Sequence, residues 1–131
     1  MILASRLVVI LVLVCAVAIV AAGGGTYWLY SKAQARQKAA AELTGGNPKL
    51  APEMLRRYGC VACHKVRGVP AAGGLLGPDL SNPEKLLTRK PQELIDWIVD
   101  PKAANPKSVM PMTGISQSEA RDVVAYLLSL R

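Results

Sequence analysis

The chain has 131 residues, 51% of them hydrophobic, and its 16 Lys and Arg against 9 Asp and Glu give a net charge of +7. That length, with a mean hydropathy of +0.25, bounds it to one small domain plus an apolar segment. The basic residues are scattered, with no stripe interleaved with aromatics, so the charge does not point to nucleic acid as a partner.

A short lead, Met1 to Arg6, is followed by an unbroken apolar run from Leu7 to Ala22, then Gly23-Gly24-Gly25-Thr26 and Tyr27-Trp28-Leu29-Tyr30. As a helix, Leu7 to Tyr30 would measure about 36 Å, enough to cross a bilayer with some tilt. The rival reading is a cleaved signal peptide, whose apolar core is about 7 to 15 residues long and for which Ala21-Ala22-Gly23 would serve as the cleavage site. Tyr27, Trp28 and Tyr30 favour a retained anchor, because they form the aromatic belt expected where a helix leaves the bilayer. Cys15 would suit a lipoprotein signal only with a small residue before it. Val14 stands there, and Cys15 reads as an apolar filler. Ala18 with Ala22, and Ala21 with Gly25, set small residues four apart, the spacing that lets a second helix approach closely. Each of the three glycines costs a lone helix about 1 kcal/mol relative to Ala, which packing against a partner would offset.

Ser31 to Leu43 is Ala-rich and charged, without Gly or Pro, so the helix is expected to continue as a solvated stalk of about 20 Å. Thr44-Gly45-Gly46-Asn47-Pro48 ends it. The expected organisation is an anchor at 1–30, a stalk at 31–46 and a globular domain at 47–131. That domain holds 12 Lys and Arg against 8 Asp and Glu, has no Phe, and has only Tyr58, Trp97 and Tyr126 as aromatics. It is near the lower limit for stability unaided, and a large apolar cofactor would supply the missing core surface.

Ala51 to Tyr58 reads as a short helix with Pro52 in its first turn and Gly59 closing it. It delivers Cys60-Val61-Ala62-Cys63-His64, a Cys-x-x-Cys-His run that reads as a c-type haem attachment site. Two thiols three residues apart lie on one side of a helical turn, where they can add to the two vinyl groups of one porphyrin. An imidazole in the next position can then ligate the iron. A zinc site would need four ligands, yet beyond Cys15 only these three exist, and His64 is the one histidine. A thioredoxin-like Cys-x-x-Cys would need a βαβ setting, which the flanks lack.

Val66 to Leu80 is a loop rich in Gly and Pro, including Gly68, Pro70, Gly73, Gly74 and Gly77-Pro78. Short helical pieces are expected around Pro83 to Leu87. Pro91 to Val99 reads as a helix with Leu94, Trp97 and Ile98 on one face, Trp97 serving as core or cofactor wall. Ala103 to Gly114 is read as a loop holding Asn105-Pro106 and Met110-Pro111-Met112. Ser116 and Glu119 form a capping box for a last helix striped by Val123, Tyr126, Leu127 and Leu130. No segment reads as a strand, and the fold class is all-α.

From Ala51 to Arg131 the chain resembles class I cytochrome c, and more closely its small bacterial membrane-bound monohaem members. The resemblance rests on Cys60-Val61-Ala62-Cys63-His64, then Gly77-Pro78-Asp79-Leu80, then Met110-Pro111 leading to a final helix with Ala125-Tyr126-Leu127. It implies a cytochrome c fold around one haem c bound through Cys60 and Cys63, with the first and last helices crossing beside it. His64 would be the proximal iron ligand, its ring proton accepted by the Pro78 carbonyl. Two methionines are near enough to be the distal ligand. Family spacing selects Met110, which stands four residues before Gly114 and is followed by Pro111, leaving Met112 as packing or a haem-edge contact and Met54 as core. The family's first helix often carries Gly and an aromatic toward the last helix. This chain offers Pro52, Leu55 and Tyr58, so that contact must be built differently.

The function implied is one-electron transfer with no substrate chemistry. The alternatives are a haem-based sensor or peroxidase-like protein with a dissociable Met110, and an assembly subunit whose haem is structural. Haem attachment of this type places the domain on the periplasmic side of a bacterial inner membrane, held by a single span. Arg6 before the helix against Lys32, Arg36 and Lys38 after it would argue the reverse, but long domains are translocated regardless of such charges. The expected setting is a multi-protein membrane complex, with a quinol-oxidising complex, terminal oxidase or reaction centre as redox partner. Lys65 and Arg67 are expected at the exposed haem edge, steering an acidic partner.

Overall fold

The computed structural model describes residues 2–130 except 71–73, 75, 83 and 85–87. The first helix, α1, runs without a break from Ile2 to Thr44. It contains no proline, and the three glycines cost helix stability without supplying a stop. By length and composition α1 can cross a membrane. The chain divides into two compact units, Met1–Gln34 and Ala35–Arg131. In the first, the large apolar side chains from Val9 to Tyr30 are all exposed. Lys32 Nζ sits 4.3 Å from the centre of the Trp28 ring, and Gln34 Nε2 donates to Tyr30 Oη at 2.9 Å.

The second unit is helical, with α2 (Ala51–Arg57), α3 (Cys60–Cys63), α4 (Pro91–Val99), α5 (Pro101–Ala104) and α6 (Gln117–Ser129) following the end of α1. Pro52 and Pro91 stand in the first turns of their helices, where a missing N–H leaves no bond unmade. Asp100 caps α5 by accepting from the amides of Lys102 and Ala103, so this turn takes up the first residues of the loop expected from Ala103. Ser116 and Glu119 form the expected capping box on α6. Among the described residues there is no strand, only an isolated bridge between Val66 and Val69. The helical pieces expected at 83–87 fall largely outside the described residues.

The core is centred on α6, which buries Ala120, Val123, Val124, Ala125, Leu127 and Leu128. Against it lie Ala51 and Leu55 from α2, Leu94 and Ile95 from α4, and Val66, Val69 and Ile115 from loops. Leu55, 1% exposed, fills the crossing of α2 with α6. A close backbone approach to α6 comes earlier, at Gly46, where a Cβ would overlap the carbonyl of Arg121. The Asn47 amide donates to Asp122 Oδ1 at 2.6 Å beside it. The last turns of α1 depart from the solvated stalk that composition suggests. Ala40 belongs to the core, and Thr44 is buried with its hydroxyl donating to the Ala40 carbonyl and accepting from the Gly46 amide.

Candidate functional site

Gly59, at φ +69°, turns the chain between α2 and α3. In α3 the two cysteines stand three apart, on neighbouring positions of one face. Both are half-buried and neither is in a disulfide. Burial pushes the unattached Cys60 thiol above its ordinary pKa. His64 leaves the helix in an extended conformation, φ −110° and ψ 138°, which swings its ring out of the turn.

His64 Nδ1 lies 2.9 Å from the carbonyl oxygen of Pro78. A carbonyl can only accept, so Nδ1 carries the proton and Nε2 keeps its lone pair for a metal. The backbone around this bond is locked in register. Gly74 N donates to Ala62 O at 3.1 Å, Gly77 N to Cys63 O at 2.8 Å, and Leu80 N to Lys65 O at 2.8 Å. Two glycines make the approach possible. A Cβ on Gly77 would stand 2.6 Å from His64 Nδ1, and one on Gly74, at φ +101°, would stand 3.0 Å from the Lys65 amide nitrogen.

Lys65 and Asp79 flank this arrangement, Nζ to Oδ2 at 3.7 Å. Asp79 is held below the usual carboxylate range, first by the Ser81 amide that donates to it and to a lesser degree by Lys65. Arg67 is exposed, like Lys65. Its guanidinium donates to the carbonyl of Leu130 at 2.9 Å, while its own carbonyl accepts from the Tyr126 hydroxyl at 2.8 Å. Each basic residue thus has a partner within the chain.

Met110 is half-buried, its amide donating to Ser108 Oγ at 3.2 Å, whereas Met112 is 65% exposed. Met54 packs against the core as expected. Trp97 is half-buried with the Arg89 guanidinium 5.3 Å from its ring centre. Leu76 and Val109 are almost fully exposed apolar residues on the two loops that carry Pro78 and Met110. A cleft of about 380 Å³ lined by Asp96, Val99, Asp100, Ala103, Ala104 and Gln117 shares no residue with the Cys-His segment.

Among the described residues, no group of three or more His, Cys, Asp or Glu could hold a bare metal ion. The donors present are one imidazole with a free Nε2, a half-buried thioether and two unpaired thiols. That set fits an iron already held in a porphyrin. Sequence reasoning missed Tyr126 and Glu119 as supports of the segment. Their seven-residue spacing on one helix face was the available signal.

An all-α domain folded around a Cys-x-x-Cys-His segment, with the imidazole oriented by a carbonyl, defines the class of covalent haem proteins. Residues 48–131 match the sequence model of cytochrome c, and the chain belongs to the cytochrome c family. It carries covalently bound haem c and serves electron transfer. No curated protein and no solved structure matches the chain.

Proposed function

We propose that this chain is a membrane-anchored, monohaem class I cytochrome c of a bacterial inner membrane, acting in a respiratory or photosynthetic electron-transfer complex. The haem, when bound, supplies a one-electron couple at its iron. Cys60 and Cys63 would hold it through thioethers, His64 Nε2 and Met110 would ligate its iron, and Pro78 fixes the imidazole ring by accepting from Nδ1. The observation that carries this reading is the His64 Nδ1 to Pro78 bond, which leaves one ring nitrogen free in a defined direction. Residues 1–30 serve as the anchor, 31–46 as a stalk whose last turns pack into the core of the haem domain, and 47–131 as that domain, on the periplasmic side.

Absorption spectra of the purified protein test the site. A sharp reduced α-band with a weak sulfur-to-iron band in the oxidised form is expected, without carbon monoxide binding at neutral pH. Ready binding of carbon monoxide would favour the sensor or peroxidase-like alternative. Membership of a complex is supported by the small residues of α1, Ala18 with Ala22 and Ala21 with Gly25, set four apart as close helix packing requires. In mild detergent the haem should migrate with a large assembly. Migration as a small free protein, unchanged by Gly25→Leu and Ala21→Leu, would refute that part.

A further inference from the structure

The segment that carries Cys60, Cys63 and His64 is tied to α6 at both of its ends. Ahead of the cysteines, the Tyr58 hydroxyl lies 2.9 Å from each carboxylate oxygen of Glu119. Beyond His64, the Tyr126 hydroxyl donates to the Arg67 carbonyl at 2.8 Å, and the Arg67 guanidinium returns a bond of 2.9 Å to the Leu130 carbonyl. Glu119 and Tyr126 are two turns apart on one face of α6, about 10 Å along its axis. Val123 lies between them at 2% exposure.

The Tyr126 tie sits close to the imidazole in bonding terms. It grips the turn closed by Val69 N and Val66 O, whose two valines are buried. Gly68, at φ +78°, lets the hydroxyl in, since a Cβ there would stand 2.7 Å from it. The residue before this turn is Lys65, whose carbonyl accepts from Leu80 N. Leu80 in turn is two residues from Pro78, the acceptor for His64 Nδ1. A shift of the 66–69 turn therefore moves the carbonyl that orients the ring.

We propose that Tyr126, together with Arg67, is a positioning pair for the imidazole of His64, setting how firmly its Nδ1–H is held by Pro78. This rests on the reading of His64 as the iron ligand. A firmer bond to Nδ1–H makes the ring a stronger donor and favours the oxidised iron. Losing the tie should weaken that bond and raise the potential.

The test uses the full-length haem protein in detergent, comparing Tyr126→Phe with Ile95→Val, which removes one buried methylene on α4 and touches neither tie. Hydrogen exchange of His64 Nδ1–H and of the Leu80 amide is followed by NMR in the reduced state, beside the reduction potential. In Tyr126→Phe both exchanges should quicken about fivefold, as loss of one ordinary hydrogen bond gives, and the potential should rise. Ile95→Val should lower overall stability and leave potential and relative exchange unchanged. Equal effects from the two variants, or wild-type exchange and potential in Tyr126→Phe, overturn the proposal. Failure of the underlying reading would show separately, as a wild-type protein without a His-ligated haem spectrum.

Discussion

On the attachment side of the site, residues 62–65 are paired with 74–80 through three backbone hydrogen bonds of 2.8 to 3.1 Å, and a fourth bond fixes the imidazole of His64. On the Met110 side, Asn105 holds the loop through its carbonyl and side chain, and the Met110 amide adds one bond of 3.2 Å to Ser108 Oγ. One proposed ligand, His64, stands on a locked frame and the other, Met110, on a lightly held loop. The difference separates two kinds of change: damage to the first disturbs the whole site, while damage to the second alters ligation and leaves the fold standing.

The sharpest test compares two glycines. Gly77→Ala drives a methyl into the His64 ring, a contact neither backbone nor imidazole can relieve cheaply. Overpacking of this kind costs about 1–3 kcal/mol or more, and here it falls on the proposed proximal ligand, so loss of the native haem spectrum in most of the protein is expected. Gly114→Ala meets open space and strains only its φ of +76°, which costs about 1–2 kcal/mol. It should lower the melting temperature and spare the spectrum. Identical spectra for the two variants would break the comparison.

Next in size is Met110→Ala, which should lower the potential, abolish the sulfur-to-iron band and open the iron to carbon monoxide. Met112→Ala, at a position 65% exposed, should do none of these. If the two exchanged behaviours, the distal assignment would pass to Met112.

A smaller effect is expected from pH. The Ser116 hydroxyl, then its amide and the Tyr58 hydroxyl, hold the Glu119 carboxyl below its ordinary value of 4.5. A folded pKa lower than the unfolded one contributes stability above the unfolded value, and that contribution disappears as pH falls through the folded value. Denaturant midpoints of the wild type should therefore decline as pH drops below 4.5, and Glu119→Gln should flatten that decline. An equally steep acid limb in the variant would assign it to other carboxylates. Smallest of all is Lys65→Gln. Its ion pair with Asp79 joins two well-exposed side chains, and exposed pairs contribute little. No measurable change in melting temperature is expected, and a clear drop would mean the pair supports the locked frame.

Much of the frame could be read in advance because it is short-range. Cys60, Cys63 and His64 are fixed by offsets within one turn, the capping box of α6 by the offset of Ser116 and Glu119, and the starts of α2 and α4 by Pro52 and Pro91. What escaped depends on residues far apart in sequence. The Tyr126 hydroxyl meets a carbonyl 59 residues away, and Tyr58 meets Glu119 across 61. A backbone carbonyl has no sequence signature, so nothing marked Arg67 as Tyr126's partner, nor Arg67 itself as bound to Leu130. Ala40 and Thr44 were unreadable for a related reason. In an Ala-rich charged stretch a solvated residue and a buried one look alike until α6 is laid beside them.

The burial of Ala40 and Thr44 decides where this protein can be cut. Composition invites a truncation after residue 46, where the glycines begin a new segment. Such a fragment would leave behind the alanine that covers the core and the threonine that caps the turn, and Leu128, beside Ala40 and Leu43, would be opened to water. A fragment beginning near Ala35 keeps the whole second unit together. The second unit of this protein thus owns the last ten residues of α1, Ala35 to Thr44.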